Sequence, residues 1–142
     1  MTLKKDEVHF LGQVNQKALI FKEGKILLLQ YPKEDLKVAG MWDMPGGRLN
    51  VGEVAVEGLK REVFEETGQR IEIQKILTTG TFVNLSGKPN FFIIHQAVLV
   101  GGEQPLILEK SEVGAFAWVD PKEFFNLPII YPEYQKALLG IL

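Results

Sequence analysis

The 142-residue chain is 46% hydrophobic and 24% charged, the balance of one ordinary folded domain, which excludes a disordered or fibrous chain and two independent units. Its net charge of −2 argues against a partner held mainly through phosphate neutralisation, so a nucleic acid is not expected. The absence of cysteine excludes disulfides, thiolate nucleophiles and thiolate zinc sites together, leaving oxygen or imidazole ligands for any metal.

In chain order, Met1 to Glu7 is charged with no hydrophobic stretch and cleavage site behind it, and no later apolar run approaches the roughly 20 residues that span a bilayer. A cytoplasmic protein without a membrane partner is expected. Ala18 to Phe21 and Lys25 to Tyr31 are apolar, β-rich runs separated by Lys22-Glu23-Gly24, the pattern of an antiparallel hairpin. Pro32 to Gly40 reads as a loop leading to Met41-Trp42-Asp43-Met44 and the turn-forming Pro45-Gly46-Gly47. From Glu53 to Thr67 there is no proline, Val56, Leu59 and Val63 recur at helical spacing, and Gly68 stands where a C-terminal cap belongs.

Ile71 to Val83 and Phe91 to Val100 are rich in β-branched and aromatic residues, and Ser86-Gly87-Lys88-Pro89 between them predicts a turn. After a loop around Gly101 to Pro105, Val113 to Val119 reads as a strand, Pro121 opens a short helix to Phe125, and Pro132 opens a last helix to Leu142. Hairpins are too frequent for a purely parallel sheet, so the expected class is α/β (α+β), a mixed sheet covered by helices.

The chemistry lies in the central helix. At about 100° per residue, Glu62, Glu65 and Glu66 fall within roughly a third of its circumference. Like charges so spaced repel, and a divalent cation such as Mg²⁺ or Mn²⁺, which takes oxygen ligands, would offset that repulsion. The competing view is a solvated acidic face. Gly58, one turn before Glu62, costs the helix about 1 kcal/mol relative to alanine and implies backbone crowding or ligand access. Arg61 has donors enough to orient a carboxylate, or else forms a surface pair with Glu57.

Gly47, Glu53, Arg61, Glu62, Val63, Glu65, Glu66 and Gly68 fit the box G-x5-E-x7-R-E-U-x-E-E-x-G-U, U being bulky and apolar, and through them the chain resembles the Nudix hydrolases. With residue types used at roughly 5 to 10 per cent each, its seven fixed letters arise by chance in on the order of one window in a hundred million. The departure is Gln69 at the final apolar position, read as facing a helix exit, with Ile71 supplying the missing contact. Trp42 to Gly47 and Ala117 to Asp120 extend the likeness. It implies a Nudix-type α/β/α sandwich and a metal-dependent pyrophosphohydrolase cutting the diphosphate of a nucleoside triphosphate, ADP-ribose or similar small nucleotide; a homodimer would also suit it.

By the same resemblance Glu62 and Glu66 would be metal ligands, Glu65 would bind a further ion or act through water, and the Gly46 carbonyl would complete the shell. Glu53 and Arg61 would be supports, and the metal would offset phosphate charge, orient the diphosphate and acidify a water that attacks phosphorus. Glu112 is the candidate general base, with Glu109 or a box glutamate such as Glu62 its competitors, while Arg48 is placed to hold a phosphate oxygen. His95, inside an apolar strand, reads as a packed histidine. Selectivity is expected from the loops Pro32 to Gly40 and Val83 to Asn90, with Phe82 and Phe91 either stacking on a base or belonging to the core. The alternative function is a non-catalytic nucleotide sensor on the same fold; isoprenoid isomerase chemistry would call for a cysteine the chain lacks.

Overall fold

A computed structural model describes residues 7–142, so Met1 to Asp6 of the charged N-terminal stretch lie outside the described residues. The elements run β1 Gln13–Lys22, β2 Lys25–Gln30, β3 Trp42–Asp43, β4 Gly46–Arg48, α1 Ala55–Thr67, β5 Ile71–Val83, β6 Pro89–Leu99, β7 Ala115–Val119, a 3-10 turn Pro121–Phe125 and α2 Pro132–Leu138. The expected first hairpin is present, and Glu23 and Gly24 both take positive φ (51° and 76°), the signature of the tight turn that matches strand twist.

The strands form one seven-stranded sheet among the described residues, with the path β3-β2-β1-β6-β5, β4 pairing with β1 and β7 with β2. All pairs are antiparallel except β1 with β6, which run parallel from Gln13↔Asn90 to Phe21↔Val98. The sheet is therefore mixed, as expected.

Successive strand residues face opposite sides, and here both sides are covered. Ala18, Ile20, Leu27 and Leu29 join Leu59 and Val63 of α1 in one core. Leu19, Ile26 and Leu28 join Phe124, Tyr134 and Leu138 in the other. Continuous apolar runs such as Ala18 to Phe21 are what two buried faces require, and the result is an α/β/α sandwich. Among the described residues no helix is long and apolar enough to cross a membrane.

Three local readings need correction. Pro45-Gly46-Gly47 is a turn only in part, because Gly46–Arg48 pairs with Asn15 to Lys17 as strand β4. The last helix stops at Leu138 rather than Leu142: Leu139 leaves helical backbone (φ −62°, ψ 125°) and Gly140 adopts φ 84°. The central helix starts at Ala55, two residues late, since Glu53 turns its carboxylate back to the Asn50 amide (2.8 Å). Its other end is as expected, with Gly68 left-handed and its N–H donating to the Phe64 carbonyl.

Candidate active site

Strands β1 and β4, helix α1 and the segment before β7 enclose a cleft of about 310 Å³. Gly46, Gly47, Arg48, Glu66, Ser111 and Glu112 line one part of it, and Asn15, Lys17, Tyr31, Asp35, Asp43 and Tyr131 line the rest.

The box glycines and carboxylates are fitted to one another. A side chain at Gly47 would put its β-carbon 2.8 Å from the Glu62 carboxyl carbon, so glycine leaves the space Glu62 occupies. Glu66 is held from the same strand, accepting the Gly46 N–H at 2.8 Å. Gly58 has an equivalent explanation, because a β-carbon there would lie 2.9 Å from Glu53 Oε2. The crowding inferred from its helical cost is thus real, and its source is the Glu53 carboxylate.

Arg61 binds three of the carboxylates. It donates to Glu53 at 2.8 Å, to Glu62 at 3.3 Å and to both oxygens of Glu65 at 3.2 Å. The alternative pair with Glu57 does not form; Glu57 lies beside Lys60 at 3.7 Å. Glu65 therefore faces Arg61 and solvent while Glu66 faces the cleft, and among the described residues no three acidic or imidazole side chains are already gathered at metal-binding distance. The hydrogen bonds from Arg61 and Asn50 hold Glu53 below the usual carboxylate range.

Burial governs the other two box carboxylates. It raises Glu66 to about 8, against the pull of Lys17 and the Gly46 amide. It also raises Glu62, with Glu65 and Glu112 adding like charge and Arg61 opposing. Anionic oxygens at these positions lack sufficient positive charge from the protein itself.

Beneath them lies an ion pair that sequence reasoning missed. Lys17 Nζ donates to Asp43 Oδ2 at 2.9 Å with both side chains buried. Tyr31 Oη donates to the same oxygen at 2.8 Å and the Met44 N–H to the other at 2.8 Å. Burial pulls the Lys17 ammonium down, but Asp43 and Glu66 outweigh it and leave it raised. The available signal was a lysine heading the apolar run Ala18 to Phe21 and an aspartate between Trp42 and Met44, charged residues where burial demands a partner.

Of the two candidate bases, Glu112 lines the cleft, whereas Glu109 is turned to Ser111, whose hydroxyl it accepts at 3.0 Å. Arg48 lines the cleft and is exposed. Of the two candidate loops, Pro32 to Gly40 contributes Pro32 and Asp35 to the lining, and Val83 to Asn90 contributes none. Phe82 belongs to the core, stacked on Tyr131 with ring centroids 4.1 Å apart, and Phe91 meets Phe10 edge-on at 6.5 Å. The aromatic surface at the cleft is therefore Tyr31 and Tyr131. His95 is packed as expected, its Nε2 3.0 Å from Gln16 Oε1, while Gln16 Nε2 donates to the Ala55 carbonyl and ties the start of α1 to the sheet. Gln69 does not face out of a helix end: it is fully buried, and Ile71 beside it is buried too.

Residues 13–139 match the family model described as NUDIX domain, and the chain belongs to that family, whose members hydrolyse nucleoside diphosphate derivatives. It is 32% identical over 117 residues to the CTP pyrophosphohydrolase of Escherichia coli, covering 79% of this chain and 78% of that protein. It is 30% identical over 139 residues to the ADP-ribose pyrophosphatase of Methanocaldococcus jannaschii, covering 96% and 76%. Some relatives are much longer: the chain spans 41% of Nudix hydrolase 2 of Arabidopsis thaliana. Among solved structures, the MutT protein of Methanosarcina mazei superposes with a TM-score of 0.74 at 28% identity, over 87% of this chain and 88% of that one.

Proposed function

We propose that this chain is one catalytic domain, a divalent-metal-dependent pyrophosphohydrolase that splits the diphosphate of a small nucleotide by attack of water on phosphorus. The observation that carries the reading is the meeting at one cleft of Glu66, seated on the Gly46 amide, with Glu112 and with Gly47, against which the Glu62 carboxylate packs from the helix side. The donors are hard carboxylate oxygens, two of them short of positive charge, which fits Mg²⁺ or Mn²⁺. Glu62 and Glu66 would hold the ion, with the Gly46 carbonyl as a further oxygen donor, while Glu65, turned to Arg61, would serve a further ion or act through water. When bound, the ion offsets phosphate charge and makes water more acidic.

The protein's own groups do the rest. Arg61 keeps Glu53, Glu62 and Glu65 in fixed orientations, so little reorganisation accompanies binding. Glu112 accepts the proton of the attacking water. Arg48 holds an oxygen of the departing phosphate, and Tyr131 offers its ring to the base. Relatives named for CTP and for ADP-ribose support a small nucleotide as substrate class.

Incubating the purified protein with Mg²⁺ or Mn²⁺ and a panel of nucleoside triphosphates, ADP-ribose and other nucleotide diphosphates, then identifying products, tests the reading. Metal-dependent cleavage of a phosphoanhydride is expected. Tight binding across the panel with no cleavage would replace it with a nucleotide sensor.

A further inference from the structure

Gln69 stands where the family pattern has an apolar residue, and its side chain is 0% exposed. Both ends of its amide are used on one residue: Nε2 donates to the Gln104 carbonyl at 2.8 Å, and Oε1 accepts the Gln104 N–H at 3.1 Å. This reciprocal pairing satisfies both backbone groups of Gln104, as a neighbouring strand would.

The same stretch is held on either side of that point. The Ile107 N–H donates to the Thr67 carbonyl at 3.1 Å and the Glu109 N–H to the Glu66 carbonyl at 3.2 Å, occupying acceptors that a helix end leaves open. Glu103 is bound by Lys22 and by Trp118 Nε1, the latter at 3.2 Å, with Lys22 4.5 Å from the Trp118 ring centre. Residues 103–113 thus form an irregular strap across the C-terminal end of α1 that brings Ser111 and Glu112 to the cleft. Long irregular segments in compact proteins are commonly functional.

We infer that Gln69 is a positioning residue, which fixes this strap against the end of α1 and thereby holds Glu112 beside the Glu62 and Glu66 carboxylates. An apolar side chain would fill the same volume but leave the N–H and carbonyl of exposed Gln104 to water, so that nothing ties the strap to the helix end at this point. The part concerning Glu112 rests on the hydrolase reading; the part concerning the strap does not.

Hydrogen exchange and kinetics together test it. In the native protein the amides of Gln104, Ile107 and Glu109, whose N–H groups are bonded to Gln69, Thr67 and Glu66, are expected to exchange slowly; exchange at the rate of an unstructured peptide would overturn the inference. Gln69→Met, which keeps the volume, is expected to speed exchange at Gln104, Ile107 and Glu109 by about 10-fold or more, the scale of two lost hydrogen bonds, with β5 and β6 unchanged. Gln69→Leu, whose side chain can neither donate nor accept, is expected to do the same should the first variant fold poorly. Unchanged exchange in a folded variant overturns the inference.

In turnover, Gln69→Met is expected to lower kcat by about 10-fold with KM nearly constant, and Gln69→Met with Glu112→Gln to be no slower than Glu112→Gln alone. Additive losses would sever Gln69 from Glu112. Should the native protein cleave no nucleotide, the hydrolase reading fails and the exchange measurements alone decide the strap.

Discussion

Glu53 lies over Gly58 so closely that a β-carbon on the glycine would come within 2.9 Å of the Glu53 carboxylate, and that carboxylate holds Arg61 at 2.8 Å. The glycine, the glutamate and the arginine therefore act as one support. Gly58→Ala would gain up to about 1 kcal/mol in helix propensity, while the flexible end of Glu53 moves aside and Arg61 loses a partner. The expected result is unchanged or raised thermal stability with kcat down about 10-fold, the order of one lost oriented contact. Full activity in this variant would remove Glu53 from the support.

Glu66 sets a pH dependence of stability. Its folded value is raised to about 8 from an ordinary 4.5. Between those limits the folded carboxyl keeps its proton while the unfolded one has lost it, so metal-free protein loses stability as pH rises through this window. Added Mg²⁺ should reverse the trend at pH 8 by binding the folded state. In chelator at pH 8, Glu66→Gln should melt above the native protein by about 2–8 °C, the scale of roughly 1 kcal/mol, yet lose metal-dependent turnover. Parallel melting curves for the two proteins across pH 5–8 would contradict this.

Glu112 and Glu109 should separate cleanly. Glu112→Gln is expected to lower kcat by about 100-fold with little change in KM, as removal of a general base does, whereas Glu109→Gln, directed at Ser111, should change kcat little. A loss confined to KM in the first variant would return the role of base to a box glutamate.

The Lys17–Asp43 pair should be costly to break from one side. Lys17→Met leaves the Asp43 carboxylate buried with only Tyr31 and the Met44 amide, and a loss of about 3–5 kcal/mol is expected in urea unfolding. Replacing both residues with apolar ones should recover most of that loss. Recovery with activity intact would confine the pair to a structural role.

Elements set by local rules were legible in the sequence. The turn at Glu23-Gly24 and the cap at Gly68 depend on neighbouring backbone, and α1 on its own periodicity. The N-terminal half of β1 was not legible, because Gln13, Asn15, Gln16 and Lys17 are polar and their partners, such as Asp43, His95 and the Ala55 carbonyl, are remote in the chain. Strand β4 was masked by its glycines, which suggest a turn until Glu62 is seen to need the room at Gly47. The box carboxylates were readable at fixed spacings. The burial that raises Glu66, the redirection of Glu65 to Arg61, and Tyr131 at the cleft depend on tertiary packing that no spacing encodes.

The parallel meeting of β1 with β6 bears on how such a chain is made. Two hairpins, β1–β2 and β5–β6, close over short turns, while their junction must bring together segments on either side of the carboxylate-bearing helix. Loop closure of that length delays non-local pairing. On a ribosome, Glu62 and Glu66 emerge well before Phe92, Ile94 and Ala97 arrive to seal both layers beneath them. The acidic helix has Ala18, Ile20, Leu27 and Leu29 of the first hairpin to pack on as soon as it forms, but its layer closes only when the second hairpin brings Ala97.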